Sequence, residues 1–342
     1  MRIVFSLKPM NKTRILTDLR IDQSPIWGKH ADFVEDLAPD FFSIWRRMPL
    51  FLRNRLNPFA HLFVMIRYRK MYDVIINASL KTGQLLGLIR KAFGSRKPAQ
   101  ILLELMLDQE SSAFLWKVKR NIQRYAFSAV DMIFVSSTSE IEIYSNRLEL
   151  PRHIFHFHFF HTNIVKPGMV HTDQGYLLSV GKTGRDYATL ADAARGLPYK
   201  IVVVSDAGSI KGIDFPSNCE VLVDISRERY LSLLNDCRIV LVPLHGLVKS
   251  TGQVVFLEAM ALGKPVVATE TVGTFDYIQS GQNGLLVPPY DSRALREAII
   301  TVAGNKTVRS NLGRKGLEFV TRNCTFQNYV ETVLKAADEV CG

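Results

Sequence analysis

Residues 250–268 read STGQVVFLEAMALGKPVVA, and they indicate how the second half of the chain folds. The glycine at position 252 permits a tight turn with close backbone approach, so a helix is predicted to begin near Gln253. Gly263 and Pro265 end that helix before a β-branched strand. The unpaired N–H groups at its start favour an anion such as a diphosphate. The candidate binding residues are Ser250, Thr251, Gly252, Gln253 and Val254.

Glu258 is the acidic residue of this predicted helix, set among apolar neighbours. It lies one turn beyond Val254 on the same face, so its carboxylate would lie beside the anion site and could accept hydrogen bonds from a ribose diol. A carboxylate buried in an apolar run needs a polar partner. The alternative is an exposed glutamate on an amphipathic helix, and the pattern alone does not decide between the two.

Short apolar runs alternate with helical stretches through the second half, which is typical of βα units and a parallel sheet. Strands are predicted there at 176–180, 200–205, 219–223, 238–243, 265–269 and 284–287, and in the first half at 2–7, 72–77, 100–105 and 131–136. Residues 161–170, with Pro167 and Gly168, are the expected linker between two Rossmann-like halves. The G-x-G-x-x-G and P-loop motifs do not occur, which argues against a dehydrogenase or a P-loop NTPase.

LEAMALGKPVVAT at 257–269, followed by DYIQSGQNGLLVPPYD at 276–291, resembles the retaining GT-B glycosyltransferases of family 4, the glycosyl transferases group 1 type. SVGKTGRDYATLADAARGLP at 179–198 is similar to the family's phosphate-binding loop, and CRIVLVPL at 237–244 to the strand before its active-site loop. The resemblance covers residues 176–322 well and the first half loosely. It implies an α/β GT-B fold, with two Rossmann-like parallel-sheet domains facing across a cleft.

The resemblance also implies a division of the chain and a set of site residues. Residues 1–165 would form an acceptor- and membrane-facing domain, 170–322 the nucleotide-sugar donor domain, and 323–342 a C-terminal helix that crosses back. Lys182 and Arg185 would neutralise the donor diphosphate, and Glu258 would bind the ribose hydroxyls, with Gly181 in the donor-binding loop. Fixed cations of this kind absorb the charge that develops on a leaving nucleoside diphosphate.

Three departures from the family pattern are visible. Lys182 precedes Arg185 at a short spacing, whereas the family has arginine first and a longer gap. Ser250 stands where the family motif has a second glutamate, so the sugar of the donor cannot be assigned. The catalytic histidine of the family's N-terminal domain has only His61 and His161 as candidates.

Histidines recur at residues 153, 156, 158 and 161, with phenylalanines at 155, 157 and 159 between them. Alternation of this kind predicts a strand with an aromatic core face, which we favour over a metal site. His158 and His161 remain candidate substrate contacts in the cleft that the resemblance implies. No metal and no cofactor are expected, since the nucleotide sugar is a substrate.

The basic charge of the chain lies entirely in its first half. The chain of 342 residues has a net charge of +11; residues 1–170 contain 25 Lys and Arg against 14 Asp and Glu, and residues 171–342 contain 18 of each. Residues 41–72 contain seven cations, no acid and several large apolar residues, which suits an anionic membrane surface. A solvated basic face over core aromatics is the alternative. Nucleic acid is disfavoured because no recognition motif accompanies the charge.

The remaining composition points to a cytoplasmic protein that is peripheral on the inner face of the cell membrane. No apolar run is long enough to span a bilayer, and residues 2–7 are predicted to form a strand rather than a signal peptide. The four cysteines match neither a zinc knuckle nor a disulfide framework.

The predicted function is a retaining, metal-independent hexosyltransferase. It would move a sugar from a nucleotide diphosphate sugar, with UDP the expected nucleotide, to a lipid-linked or polysaccharide acceptor. A nucleotide-sugar 2-epimerase on the same fold and a non-catalytic GT-B partner subunit are the alternatives. The basic aromatic segment disfavours the epimerase, which has no large acceptor, and the glutamate replaced by Ser250 supports the partner subunit.

Overall fold

The computed structural model describes residues 13–19, 27–107, 111, 113–170, 172–246 and 249–342, and these residues form two separate parallel sheets. The strand predicted at residues 2–7 lies outside the described residues. No helix of the described chain is long and apolar enough to cross a bilayer.

The first sheet has the strand order β2-β1-β3-β4-β5-β6 in the described chain, and every paired neighbour is parallel. Its strands are β1 (Ile15–Thr17), β2 (Ala31–Phe33), β3 (Val74–Asn77), β4 (Ala99–Leu102), β5 (Met132–Val135) and β6 (Phe155–Phe157). Its helices are α1 (Trp27–His30), α2 (Pro39–Trp45), α3 (Leu50–Tyr68), α4 (Leu80–Ala92), α5 (Phe114–Phe127) and α6 (Thr138–Leu148). The predicted strands at 72–77, 100–105 and 131–136 are confirmed as β3, β4 and β5, although β4 ends three residues before the predicted end.

The second sheet has the order β12-β11-β10-β7-β8-β9, again with parallel neighbours. Its strands are β7 (Leu177–Val180), β8 (Ile201–Ser205), β9 (Cys219–Val223), β10 (Ile239–Val242), β11 (Val266–Thr269) and β12 (Leu285–Val287). Its helices are α7 (Tyr187–Ala194), α8 (Arg227–Asp236), α9 (Gln253–Ala261), α10 (Ser292–Gly304) and α11 (Lys306–Asn323), and a last helix, α12 (Phe326–Glu339), follows them in the chain. All six predicted strands of this half are confirmed to within two residues at each end.

The central strand β10 shows why this sheet reads as apolar runs rather than as alternation. Val240 and Val242 point into one buried cluster, and Ile239 and Leu241 into another on the opposite face. Helices cover both faces of a parallel sheet, so both sets of side chains are removed from water. The two-Rossmann architecture predicted from the sequence is confirmed.

The chain divides into two compact units whose boundaries differ from those expected. The first unit contains the described residues up to Val135 together with Ile141–Phe157 and Val330–Gly342, and the second contains Ser136–Glu140 and His158–Tyr329. The second unit therefore starts before residue 170 and continues past residue 322. The expected linker packs within it, because the Gly168 N–H donates to the Ala261 carbonyl at 2.8 Å and the Val170 N–H to that of Leu262 at 3.0 Å.

Candidate functional site

The carboxyl ends of β7, β10 and β11 lie at one edge of the second sheet, since these strands are parallel neighbours. Loops that leave this edge are where open α/β sheets bind ligands. Residues 181–186 leave β7, residues 243–252 connect β10 to α9, and residues 270–276 follow β11. All the predicted donor-binding positions except Val254, Glu258 and Gln253, which lie within α9, belong to these loops.

The loop after β7 folds back over its first residue. Gly181 has φ of +135°, and a Cβ built there would collide with the guanidinium of Arg185. That guanidinium donates from Nε to the Val180 carbonyl at 2.9 Å and from Nη1 to the Thr183 carbonyl at 3.1 Å. Glycine is therefore required at 181 both for its backbone angle and for the space that Arg185 occupies.

Arg185 is a buried cation, 8% exposed, with no carboxylate partner among the described residues. Burial lowers its pKa from the ordinary arginine value. An arginine nevertheless stays protonated at neutral pH, so its charge is held inside the protein and no carboxylate of the described chain compensates it. An anion bound at this edge would supply the missing charge.

Lys182, the neighbouring predicted cation, is in a different environment. Its side chain is exposed and its ammonium lies 3.3 Å from Asp224 Oδ1, on the loop after β9. An exposed pair of this kind is worth little and exchanges readily, so Lys182 can turn toward a ligand at small cost.

The start of α9 is where the sequence predicts it. Gly252 caps the helix with φ of +93°, and the turn that contains Gly273 packs so closely that a Cβ there would lie 2.8 Å from the Thr251 nitrogen. Ser250 is 2% exposed, and its Oγ has no hydrogen-bond partner within the described residues. The N-terminal N–H groups of α9 and this unpaired hydroxyl form a polar, positively polarised start to the helix.

Residues 136–140 hold the same region of the second unit from another side. Glu140 is fully buried, and its Oε1 accepts the Ser250 N–H at 2.7 Å. The Asp276 carboxylate accepts from the Thr138 N–H at 2.9 Å and from its hydroxyl at 2.8 Å, and the Tyr277 hydroxyl donates to the Ser136 carbonyl at 2.9 Å. A carboxylate therefore contacts position 250, although the side chain at 250 itself is serine.

Glu258 has the polar partners that its burial requires. Its carboxylate is 0% exposed and accepts two hydrogen bonds from Arg227, at 2.5 and 2.9 Å, one from the Tyr230 hydroxyl at 2.8 Å and one from Asn163 Nδ2 at 3.1 Å. These four bonds use the usual acceptor capacity of a carboxylate. The alternative of an exposed glutamate is therefore wrong. Val254 and Glu258 lie one turn apart on the same face of α9, but their exposure differs. Val254 is 39% exposed, whereas Glu258 is buried.

The Glu258 partners were not visible in the sequence. Arg227 begins α8 and Tyr230 lies one turn later, so both reach Glu258 from 28 or more residues away. The Arg227 guanidinium also lies 4.9 Å from the Tyr230 ring centroid. Hydrogen bonding to Glu258 raises the pKa of Arg227, and burial followed by the charge of Glu258 raises that of Tyr230. Spacing within one helix cannot reveal a partner on another.

The two candidate histidines lie in an aromatic cluster of the second unit. His158 lies 5.1 Å from the Tyr329 ring, and His161 contacts both Tyr329 and Phe326. Burial lowers the pKa of His158 to about 4 and lowers that of His161. The strand ends at Phe157, so the predicted alternation of histidines and phenylalanines on opposite faces does not continue beyond that residue. His158 lies after the strand and is buried.

In the described chain, no three His, Cys, Asp or Glu side chains assemble as a set of metal ligands. His61, the other candidate for a catalytic histidine, belongs to the first unit and contacts Glu35 through Nε2 at 3.4 Å.

Known proteins resemble this chain in sequence and in fold. The family model for glycosyl transferases group 1 matches residues 187–305, which run from α7 through α10. Residues 187–305 are thus similar to that family. An uncharacterized glycosyltransferase of Methanocaldococcus jannaschii is 28% identical over 44% of each chain. The capsular polysaccharide biosynthesis glycosyltransferase CapM of Staphylococcus aureus is 22% identical over 77% of this chain and 76% of its own length.

The first curated relatives share only part of their length with this chain. The match spans 44% of the Methanocaldococcus protein and 6% of a sucrose-phosphate synthase of Arabidopsis thaliana. Solved structures match over more of the chain: Anabaena HepE in complex with UDP and glucose has a TM-score of 0.67 at 16% identity, over 95% of this chain and 99% of HepE. Sucrose-phosphate synthase of Thermosynechococcus elongatus has a TM-score of 0.67 at 17% identity, covering 82% and 77%. The chain has the GT-B fold.

Proposed function

We propose that this protein is a glycosyltransferase that takes a sugar from a nucleotide diphosphate sugar, with UDP as the nucleotide. The observation that carries the proposal is Arg185, a buried cation with no carboxylate partner in the described chain, at the ligand-binding edge of the second sheet. A diphosphate supplies the two features this site lacks, negative charge and hydrogen-bond acceptors. The structurally similar protein HepE of Anabaena was solved in complexes with UDP, with UDP and glucose, and with UDP-glucose.

The chemical role of the site would be to stabilise the leaving nucleoside diphosphate. As the bond from the anomeric carbon to the diphosphate breaks, negative charge grows on the phosphate oxygens, and Arg185, Lys182 and the start of α9 would receive it. These fixed positive groups leave little for a divalent ion to contribute. Retention of configuration follows only from the resemblance to the retaining family, and the anomer of the product, read by NMR, tests it.

Glu258 would bind the ribose diol of the donor. Its four acceptor positions are occupied, but Arg227 has a side chain that is 48% exposed and can withdraw into solvent. We infer that the two ribose hydroxyls take the places of the Arg227 donors, while Tyr230 and Asn163 keep the carboxylate in position.

The acceptor would be a polysaccharide or a lipid-linked glycan at the inner face of the cell membrane. CapM is named for capsular polysaccharide synthesis, which supports a glycan product. The basic segment at 41–72 supports a membrane surface, because Leu50, Phe51, Phe59 and Phe63 of α3 are all more than half exposed beside its arginines. Not every apolar residue of the segment faces solvent: Met65 is buried, and the Trp45 indole donates to Asn57 Oδ1 at 2.7 Å.

A panel of nucleotides tests the donor. UDP, GDP and ADP are added separately to the purified chain, and the shift in Tm is recorded; a nucleotide at about 100 times its Kd stabilises by about 2.7 kcal/mol. UDP should give the largest shift. Incubation with UDP-sugars should then release UDP slowly by hydrolysis, whereas a 2-epimerase would interconvert the sugars and a non-catalytic subunit would do neither. No shift with any nucleotide would overturn the proposal.

Chelation tests the role of metal. Transfer or UDP release should proceed at an unchanged rate in excess EDTA, because the protein's own cations face the leaving group. Activity that disappears in EDTA and returns with Mg²⁺ or Mn²⁺ would contradict this expectation.

A further inference from the structure

Helix α5 of the first unit turns its apolar side chains outward. Its exposed apolar residues range from 38% to 79% exposed and are Phe114, Leu115, Val118, Ile122 and Tyr125. At about 100° per residue these five side chains fall within a sector of roughly 100° on one side of the helix. We call this set the α5 stripe. An amphipathic helix ordinarily buries such a face against its own core.

The inward face of α5 is well packed, so the helix is not simply loose. Gln123, Ala126 and Phe127 are buried, and a Cβ added at Gly87 of α4 would lie 2.5 Å from the Ala126 carbonyl oxygen. Trp116 packs against Arg147, whose guanidinium lies 5.1 Å from the indole ring. The rotation of α5 about its axis is therefore fixed, and the α5 stripe is held toward solvent.

The charged residues of α5 itself are all basic. Residues 113–130 contain four cations and no acidic residue. Lys117 and Lys119, both exposed, lie about 100° to either side of Val118, so they border the stripe along both edges. Arg120 and Arg124 lie farther round and pair with Glu149.

We propose that the α5 stripe docks on an anionic lipid bilayer, with α5 lying in the plane of the interface. Apolar side chains in the centre and lysines at both margins suit a surface that is hydrocarbon below and phosphate at the level of the headgroups. A second copy of the chain fits poorly, because a two-fold contact through the stripe would bring like-charged lysine borders together.

This inference rests on the proposed membrane-bound acceptor and deepens it by naming the element that inserts. Helix α4 packs against both α3 and α5, so the basic α3 and the α5 stripe belong to one helical layer. The α5 stripe would supply the salt-insensitive part of the binding, and the arginines of α3 would add attraction that salt screens.

Vesicle flotation of the full chain tests the proposal, with phosphatidylcholine vesicles that contain or lack phosphatidylglycerol, at low and high salt. The stripe variant Leu115→Ser, Val118→Ser and Ile122→Ser should lower partitioning onto anionic vesicles by about tenfold or more at both salt concentrations. Lys117→Ser with Lys119→Ser should lower it at low salt only. The matched control Ile300→Ser alters an exposed apolar residue of α10 in the second unit and should change nothing.

A depth measurement gives an independent readout. The wild type already contains Trp27, Trp45 and Trp116, so each variant is compared with it. Brominated lipids should quench the fluorescence that Val118→Trp adds, whereas they should not quench the fluorescence that Ile300→Trp adds. Unchanged flotation of the stripe variant, or no quenching at 118, would overturn the inference. The inference would also be overturned if light scattering showed that the wild type self-associates and that the stripe variant does not. The same holds if the wild type bound an acidic protein but not the vesicles.

The failure of this proposal can be told apart from failure of the proposed function. UDP release by hydrolysis needs no membrane, so the stripe variant should retain it at the wild-type rate. A protein that hydrolyses UDP-sugars but never floats keeps the transferase proposal and loses this one.

Discussion

Arg185 is the residue whose environment is hardest to explain by stability alone. A buried cation without a carboxylate is costly, and the two carbonyls it contacts compensate only part of the lost hydration. Residues that are unfavourable for folding yet held by their surroundings are characteristic of binding sites. The close approach of Gly181 to the guanidinium shows how the loop is shaped to keep it in place.

Arg185→Met should therefore separate binding from stability. The loss of a charge-assisted contact to the diphosphate, about 1.5 to 3 kcal/mol, should weaken UDP binding and kcat/KM by roughly one to two decades. Removing the buried charge should offset the two lost hydrogen bonds, so Tm should not fall appreciably. Calorimetric titration with UDP and a melting curve measure both effects.

The matched control is Arg195→Met, which removes an exposed arginine that pairs with Asp192 and Asp214. UDP affinity should be unaffected there. Equal UDP affinity in wild type and Arg185→Met would rule out this arginine as a diphosphate contact.

Glu258→Gln should affect binding and folding together. An amide accepts fewer hydrogen bonds and leaves Arg227 without its charged partner, so we expect a lower Tm and UDP binding weaker by about one to two decades. Tyr230→Phe, which removes one donor and keeps the carboxylate, should change UDP affinity by much less. A Glu258→Gln protein that binds UDP normally would exclude a role in ribose recognition.

At the level of single residues, the sequence predicts which residue types form the site but not which side chains they contact. The need of Glu258 for a partner follows from its apolar neighbours, but Arg227, Tyr230 and Asn163 are brought to it by tertiary packing. Glu140 was missed for the same reason, since it lies 110 residues from Ser250 along the chain. A residue pattern records local chemistry, and contacts of long sequence separation leave no such record.

Among the elements, α9 depends on close contact with α11. A Cβ at Gly313 of α11 would collide with the Gly263 carbonyl, and one at Gly316 would lie 3.1 Å from Met260 Cγ. Glycines on one face of α11 thus allow it to pack against the C-terminal end of the helix that carries Glu258. The packing of α11 helps to hold α9 and its N-terminus in place.

Gly313→Ala should destabilise the second unit. The added methyl group forces the two helices apart, and overpacking of this kind costs about 1 to 3 kcal/mol, which lowers Tm by roughly 2 to 10 °C. Gly304→Ala is the control, because a Cβ at the end of α10 meets nothing closer than 3.8 Å. If both alanines leave Tm unchanged, the close packing of α11 on α9 is not required for stability.

Strand length alone does not explain which strands the sequence predicts. β12 has three residues, like β1 and β2, but it lies between Gly284 and Pro288, which mark its ends. β1 and β2 have no glycine or proline directly at their ends and were not predicted. Helix α5 is a different case. The spacing of its apolar residues is typical of an amphipathic helix, but the structure is needed to show that the apolar side faces solvent.

At the scale of the whole molecule, acid should weaken the fold through His158. Its pKa of about 4 in the folded protein lies below the ordinary value of 6.5, so the unfolded chain binds the proton more tightly. Neutral His158 makes its full contribution to the free energy of unfolding well above pH 6.5, and this contribution is lost as pH falls toward 4. At pH 5 the loss is about 2 kcal/mol.

Urea unfolding at pH 7.5 and pH 5 measures this effect. Between pH 7.5 and pH 5, the free energy of unfolding of His158→Gln should fall by about 2 kcal/mol less than that of the wild type. His161 is present in both proteins, so its titration does not contribute to the difference. Identical losses in wild type and variant would show that His158 is not the group responsible.

The second unit includes five residues, Ser136–Glu140, that the chain contributes from between two stretches of the first. This arrangement bears on the design of chimeras. The second unit transplanted from this protein as one continuous piece from residue 158 onward would leave the Ser250 N–H and the Asp276 carboxylate without the partners they have here. Transfer of the second unit into another protein therefore has to include residues 136–140, or the recipient has to supply their equivalent.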